Sequence, residues 1–396
     1  MAQVTDPPGL PAKPPPWNDP RIRAIVFQVL VSAGVIAVGV FLVRNLLHNL
    51  EVRGISTGFG FLANRAGFAI NQSLVAYDES SSYGRTFVVG LLNTLLVSGL
   101  GIVLATILGF IIGVARLSRN WLICKLAAAY IETFRNLPLL LQILFWYFAV
   151  FLNLPSPNEA LSVGDTIFLT LRGLYLPRPV FESGFGWTVF ALAAAMAGSI
   201  FLVRWSRLRQ ERTGQLFPAY LVSLALIVAL PVAMFVITGR PLSWHVPTLE
   251  GFNFIGGISV IPELAALLVA LSIYTAAFIA ETVRAGILSV SHGQTEAASA
   301  LGLRPSWTLR LVIIPQAMRV TIPPLTSQYL NLTKNSSLAT AIGYPDLVSL
   351  FAGTTLNQTG QAVEVMAMTM AVYLTISLVI SVFMNWYNAR MSLVER

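Results

Sequence analysis

An all-helical, polytopic membrane protein is the fold class this sequence predicts, and three observations predict it. Hydrophobic residues make up 56% of the 396-residue chain and charged residues only 11%, where a soluble domain carries about a quarter. The mean hydropathy is +0.73. The apolar residues gather into runs near the ~20 residues that cross a bilayer as a helix, and about eight such spans can be counted.

Residues 1–23 are Pro-rich and polar and read as a disordered tail. The first apolar run, 24–47, is too long and too deep in the chain for an ordinary cleaved signal peptide, so a retained signal anchor is expected. Residues 48–85, with Gly54, Gly58, Gly60 and Ser80-Ser81-Ser82, read as an extracytoplasmic loop with an interfacial segment near 59–70. The second span is expected over 86–115, closed by Arg116 and Arg119, and the third over 126–154, followed by a Pro- and Gly-rich loop. The fourth and fifth are expected over 187–203 and 218–238, separated by a basic loop, 204–212. The sixth covers 262–280, the seventh 322–342 and the eighth 363–386.

With the N-terminus inside, inner segments hold roughly 16 Lys and Arg and outer segments roughly 7. Both termini and the polar stretch 281–324 are then cytoplasmic. The same bias accounts for the +8 net charge and for the basic 204–212 loop without nucleic acid. The single cysteine, Cys124, excludes an internal disulfide or a cysteine cage and is expected as a buried packing residue. His48, His245 and His292 are scattered without ligand spacing, so no metal site is expected.

No phosphate-binding G-x-x-x-x-G-K-[ST], H-E-x-x-H or G-x-S-x-G is present, so the chain offers no catalytic residues and no ATP cradle of its own. The second, fourth, fifth and eighth spans carry no ionisable side chain in their interiors. A proton-driven carrier needs titratable groups at depth. Energy supplied from outside the chain is therefore expected.

Within 281–324, Ser291-x-x-Gln294 is a capping-box pattern that can start a helix. Small residues follow, among them Ala297, Ala298 and Ala300, which let a helix approach another surface closely. Gly302 suits a left-handed helix end, and Pro305 can open the next helix. Trp307, Leu311 and Val312 form an apolar stripe. A helix-turn-helix lying across the membrane face results, either a lever or an interfacial hairpin.

Lys334 lies about 18 Å into the expected seventh span at 1.5 Å per residue. A cation there costs several kcal/mol unless paired or hydrated. It sits within Thr333-Lys334-Asn335-Ser336-Ser337 and is a candidate either for an anionic substrate group such as an amino acid carboxylate or for a structural role. Asn93, Thr94, Gln142, Tyr274 and Thr275 place further polar groups in apolar helices, where they join helices or line a pathway. Glu281 and Arg284 are spaced as a helical ion pair. Gly99, Gly101, Gly109 and Gly113 allow close packing of the second span.

Several stretches together resemble a known family. Glu296-Ala297-Ala298, then Gly302, Val312, Ile314 and Pro315 resemble the EAA loop of ABC-importer permeases. Gly90-Leu91-Leu92-Asn93-Thr94-Leu95, the run from Phe134 to Gln142, the run from Ala280 to Ile287 and Lys334-Asn335-Ser336-Ser337-Leu338 resemble the polar amino acid branch. The likeness covers about 86–152 and 262–390, with Asn136-Leu137 and Asn335-Ser336 departing from the common pattern. It implies a type I permease core of five helices. Residues 1–85 add one span and 155–260 insert two within the permease domain, 86–390, an enlarged plan similar to one permease subunit of bacterial general L-amino-acid importers.

The resemblance further implies a periplasmic amino-acid-binding protein, a second homologous permease in a heterodimer, and an ATPase pair that holds ATP and Mg in a bacterial inner membrane. This chain itself would bind no cofactor. Glu296, Ala297, Ala298, Gly302 and Pro315 would couple to the ATPase, and Lys334, Asn335, Ser336, Gln142, Thr94 and Tyr274 would line the substrate pathway. The alternatives are a permease for another solute such as an opine or polyamine, a channel or carrier without ATP, and a membrane assembly protein.

Overall fold

The computed structural model describes residues 19–391 except 53, 55 and 56. Residues 1–18 of the expected tail lie outside these. Residues 20–23, assigned to that tail from sequence, are helical instead. Pro20 opens helix α1 (Pro20–Val52) at its first position, where its missing N–H costs nothing, and Arg23 N donates to Asp19 O at 3.1 Å. Residues 57–82 fold back on the core through Phe61 and Ala66, both buried. Helix α2 (Tyr83–Ala115) begins where Ser82 Oγ accepts from Arg85 N.

Helix α3 (Trp121–Asn136), capped by Asn120, ends at Leu137-Pro138. The chain restarts as α4 (Leu139–Leu144) and runs on, with a wider π turn over Phe145–Val150, to Asn153. The two halves are bent by 106°, so the third span expected over 126–154 is broken in two. Leu137 is extended, as a residue before proline prefers, and Pro138 has no N–H to continue the ladder. Cys124 is half-buried and bonded rather than packed in a core. Its Sγ accepts from Arg116 Nη1 at 3.1 Å and donates to Arg116 O at 3.3 Å.

The Pro- and Gly-rich loop expected after the third span is largely a β-module. Strands β1 (Leu161–Val163), β2 (Ile167–Thr170) and β3 (Gly173–Leu176) form an antiparallel meander. Gly164 and Asp165 sit at positive φ in the first turn, a conformation those residues tolerate. Strand β4 (Arg178–Phe181) pairs with β5 (Leu242–His245), β6 (Thr248–Glu250) with β7 (Asn253–Ile255), and β8 (Ile258–Val260) closes on β3. Between β4 and β5 rise α5 (Phe185–Thr213) and α6 (Ala219–Ile237), packed on each other along Ala191, Ala195 and Ser223. Helix α5 absorbs the basic segment 204–212 expected as a loop. The turn comes only at Gly214, at φ 68.

Helix α7 (Pro262–Leu288) is the buried rod of the molecule. A Cβ at Gly109 would lie 2.5 Å from Ile279 Cγ2, and one at Gly113 2.7 Å from Ala280 O. The glycine stripe of α2 thus lets the two backbones approach, and its register makes α2 and α7 parallel. Gly99, from the same expected stripe, faces open space. Helix α8 (His292–Ala300) and α9 (Pro305–Thr308) follow, and a π turn over Leu309–Ile313 leads into α10 (Ile314–Asn335). A tight 3-10 stretch, Ser336–Ile342, a π stretch, Val348–Thr355, and α11 (Leu356–Thr359) precede α12 (Ala362–Met391).

Among the described residues six helices are long and apolar enough to cross a membrane, and the broken pair makes up to seven. The expected count of eight included 322–342. That stretch is instead the end of α10, a helix too polar for the same criterion, plus the 3-10 stretch.

Candidate coupling segment and polar pathway

The stretch expected over 281–324 is shorter as a separate unit. Residues 281–288 complete α7 and 314–324 begin α10, leaving 289–313 to cross between them. Ser291 precedes α8, but its side chain does not cap. Gln294 N donates to Ser291 O, and Gln316 Nε2 donates to Gln294 Oε1 at 3.2 Å, so Gln294 ties α8 to α10. The helix ends as the glycine predicts. Gly302 has φ 75, its N donates to Ser299 O at 2.9 Å and Leu303 N donates to Ala298 O at 3.1 Å, the paired bonds of a Schellman end. Pro305 opens α9 as expected.

Ala298 is buried under this turn, whereas Ala297, Ala300, Leu301, Trp307 and Leu311 are exposed. Glu296 points outward, with His292 Nδ1 3.0 Å from its Oε1. Pro315 is half-buried near the start of α10. Glu281 and Arg284 form the expected pair, at 2.6 Å, where α7 runs into the segment. Small residues, an outward carboxylate and exposed apolar side chains thus share the surface of this segment.

Lys334 is not halfway along its helix. It lies in the last turn of α10, about 30 Å from Ile314, where a cation complements the helix dipole. It is exposed and lines a 390 Å3 groove with Ser337, Thr369 and Tyr373. Ser336 is buried, its Oγ donating to Thr333 O, and Asn335 is half-buried beside it.

Thr94 and Asn93 hold the turn that follows. Thr94 Oγ1 accepts from Leu347 N at 3.0 Å, Asn93 Nδ2 donates to Pro345 O and to Gln72 O, both at 2.9 Å, and a Cβ at Gly90 would meet Leu347 Cα at 2.9 Å. At the centre of that turn is a residue the sequence reading passed over. Asp346 is 1% exposed, its Oδ1 accepts from Ser349 N at 2.8 Å, and Tyr373 Oη donates to its Oδ2 at 3.3 Å. Tyr373 also lines the Lys334 groove, so the hub and the groove share a wall. The signal was an acidic residue inside Gly-Tyr-Pro-Asp between two apolar stretches.

Gln142 and Tyr274 are elsewhere. Gln142 Nε2 donates to Phe134 O and Leu137 O across the break, at 3.2 and 3.1 Å, and so patches the carbonyls that Pro138 frees. It lines an apolar cavity of 330 Å3 that shares no lining residue with the Lys334 groove. Tyr274 packs on the apolar cluster around Leu267, Leu271 and Tyr344, with Phe278 at 5.0 Å.

Fold and site together fit a helical transport permease of a membrane, with the exposed segment 289–313 at one end of its central helix. Residues 212–393 match the model of the binding-protein-dependent transport system inner membrane component family. The chain is 57% identical, over 96% of its length and 97% of the relative's, to the putative amino-acid ABC transporter permease protein YhdX of Escherichia coli K12. It is 51% identical, over 96% and 94%, to the general L-amino acid transport system permease protein AapQ of Rhizobium johnstonii. It is 44% identical, over 96% of each, to the glutamate/glutamine/aspartate/asparagine transport system permease protein BztB of Rhodobacter capsulatus. The chain belongs to this family of inner-membrane permeases of ABC transporters. It is a transport component, as the sequence reading expected.

Proposed function

We propose that this permease carries L-amino acids inward across the bacterial inner membrane, driven by a separate ATPase that docks on 289–313. The relatives' names support the substrate class. The observation that carries the coupling is the outward-facing α8, closed by a Schellman turn at Gly302, tied to α10 through Gln294 and Gln316, and following directly on α7 past its Glu281–Arg284 pair. Glu296, Ala297 and Gly302 form the contact, Ala298 packs beneath it under the turn, and Pro315 sets the exit into α10. ATP and Mg belong to that partner.

The parallel α2 and α7 bring Arg116, Arg119 and Arg284 to the end of the molecule that also holds Arg304 and Arg310. The positive-inside rule supports reading that end as cytoplasmic, an orientation with the β-module outside and, as the charge bias of the sequence suggests, both termini inside. A periplasmic binding protein delivers the amino acid, and a second, homologous permease completes the pathway. Lys334, with Asn335 and Ser336 beside it, lines this half of it, while Thr94 braces the neighbouring turn and Gln142 and Tyr274 serve other parts of the helical core.

The test is Glu296→Lys and Gly302→Val in the reconstituted importer. Both variants insert normally but lose binding-protein-stimulated ATP hydrolysis and uptake together. Normal stimulation and normal uptake in both would refute the coupling assignment.

A further inference from the structure

At the opposite end of α7 from 289–313, about 40 Å away along its 27 residues, a cleft of 740 Å3 opens between the β-module and the helical core. That is within the range of small-molecule sites. Two opposite charges line it. Arg172 stands at the tip of the two-residue turn between β2 and β3, and Glu263 is the second residue of α7. Among the described residues neither makes an ion pair. They face one space without closing on each other.

The frame around them is fixed. Tyr147 Oη donates to Glu263 Oε1 at 2.9 Å, which aims the carboxylate and leaves Oε2 uncommitted. Tyr175 Oη donates to Asn253 Oδ1 at 2.8 Å, so Asn253 keeps its amide donors for the cleft. The wall at Gly256 and Gly257 is held at φ 82 and 67. A Cβ at Gly257 would meet Leu176 O at 2.5 Å, so the backbone cannot retreat or bulk up there.

We propose that this cleft is an entry-side binding site for a zwitterionic α-amino acid. The guanidinium of Arg172 takes the carboxylate through its paired N–H donors, and Glu263 takes the ammonium. Only groups common to all α-amino acids are read, so the site accepts many side chains. The inference rests on the amino acid reading above, and it adds a site to this chain outside the helical pathway.

The experiment uses the whole importer complex in lipid nanodiscs without its binding protein, probed with labelled L-alanine, L-glutamine and L-glutamate. Saturable binding is expected, displaced by unlabelled amino acid but not by its N-acetyl or carboxamide derivative. Arg172→Gln and Glu263→Gln each weaken it about tenfold or more, the loss of one charge-assisted pair, while Arg172→Lys retains part of it. Arg172 is exposed at a turn, so its replacement leaves the fold intact. No binding of any of the three, or binding indifferent to both Gln substitutions, overturns the proposal. Uptake into proteoliposomes with ATP and binding protein is measured alongside. Uptake without cleft binding removes this site and leaves the transport reading standing, whereas failure to take up any amino acid removes that reading and this site with it.

Discussion

Gly286→Ala should loosen the joint between α7 and α10, two residues before α7 ends. A Cβ built on Gly286 lies 2.0 Å from Thr321 Oγ1, 3.1 Å from Ala317 O and 3.3 Å from Thr321 Cβ. The first approach is well inside van der Waals contact. The second and third are tight but require a shift of only a few tenths of an ångström. Thr321 Oγ1 cannot simply swing aside, because it donates to Ala317 O at 2.8 Å within a buried face. Overpacking of this kind costs about 1–3 kcal/mol.

The clash has a single principal atom, so Thr321→Ala should relieve it. In the double variant the nearest obstacle is the 3.1 Å carbonyl. Thermal unfolding of the purified complex, followed by size-exclusion fluorescence, should show a clear drop for Gly286→Ala, a small one for Thr321→Ala, and a double variant close to the latter. That is a coupling of about 1–2 kcal/mol in a double-mutant cycle. Strictly additive losses would show that the helices already stand apart at this joint and would remove the close-packing argument.

Asp346→Ala should destabilise the permease by about 1–3 kcal/mol or more, because it strands Ser349 N and the Tyr373 hydroxyl in a buried site. Asp346→Asn, which keeps an acceptor for Ser349 N, should cost distinctly less, and equal losses would count against the hydrogen-bond account. Gln142→Leu should cost about 1–3 kcal/mol by exposing two carbonyls at the Pro138 break, read by the same thermal assay. Lys334→Met should raise the half-saturation concentration for uptake while leaving assembly unchanged. An unchanged value for every amino acid would make Lys334 structural.

The long helices were legible because hydropathy over some 20 residues is a strong signal, and the helix end at Gly302 was legible because a left-handed residue has few alternatives. Other features depended on tertiary context. The strands of 161–181 and 242–260 are only three or four residues each, too short for a period to register and interrupted in sequence by two helices. The 106° bend followed from Pro138 in principle, yet the apolar run continues through it and hides it from hydropathy. Basic residues 204–212 looked like a loop because charge was read as solvent exposure, whereas a helix can extend beyond the bilayer without changing its backbone. Asp346 escaped because its importance lies in contacts with Thr340, Ser349 and Tyr373, not in its own motif. Its burial also weakens the inference that missing ionisable groups exclude a proton-coupled carrier. The relatives, and not that absence, carry the assignment.

Packing is densest around α7 and does not by itself divide core from additions, since the apolar window of the added α5 is 17% buried and that of α12 is 11%. Of the apolar window of α7, 61% is buried, against 0% for α1 and 6% for α6. Helices α2, α10 and α12 are held to one another by the contacts that also shape the polar hub and the coupling segment. On the proposed reading, a displacement of α8 reaches α7 through the short 289–291 connection and cannot be absorbed at its contact with α2. Gly109 and Gly113 leave no slack there. The rod must therefore tilt as a unit, and its far end, at Pro262 and Glu263, moves with it. The turn that carries Arg172 is packed on the residues that lead into that first turn, because a Cβ at Gly173 would meet Val260 O and Ile261 Cα, so on this reading both walls of the cleft travel with the rod, and an amino acid held between Glu263 and Arg172 travels with them.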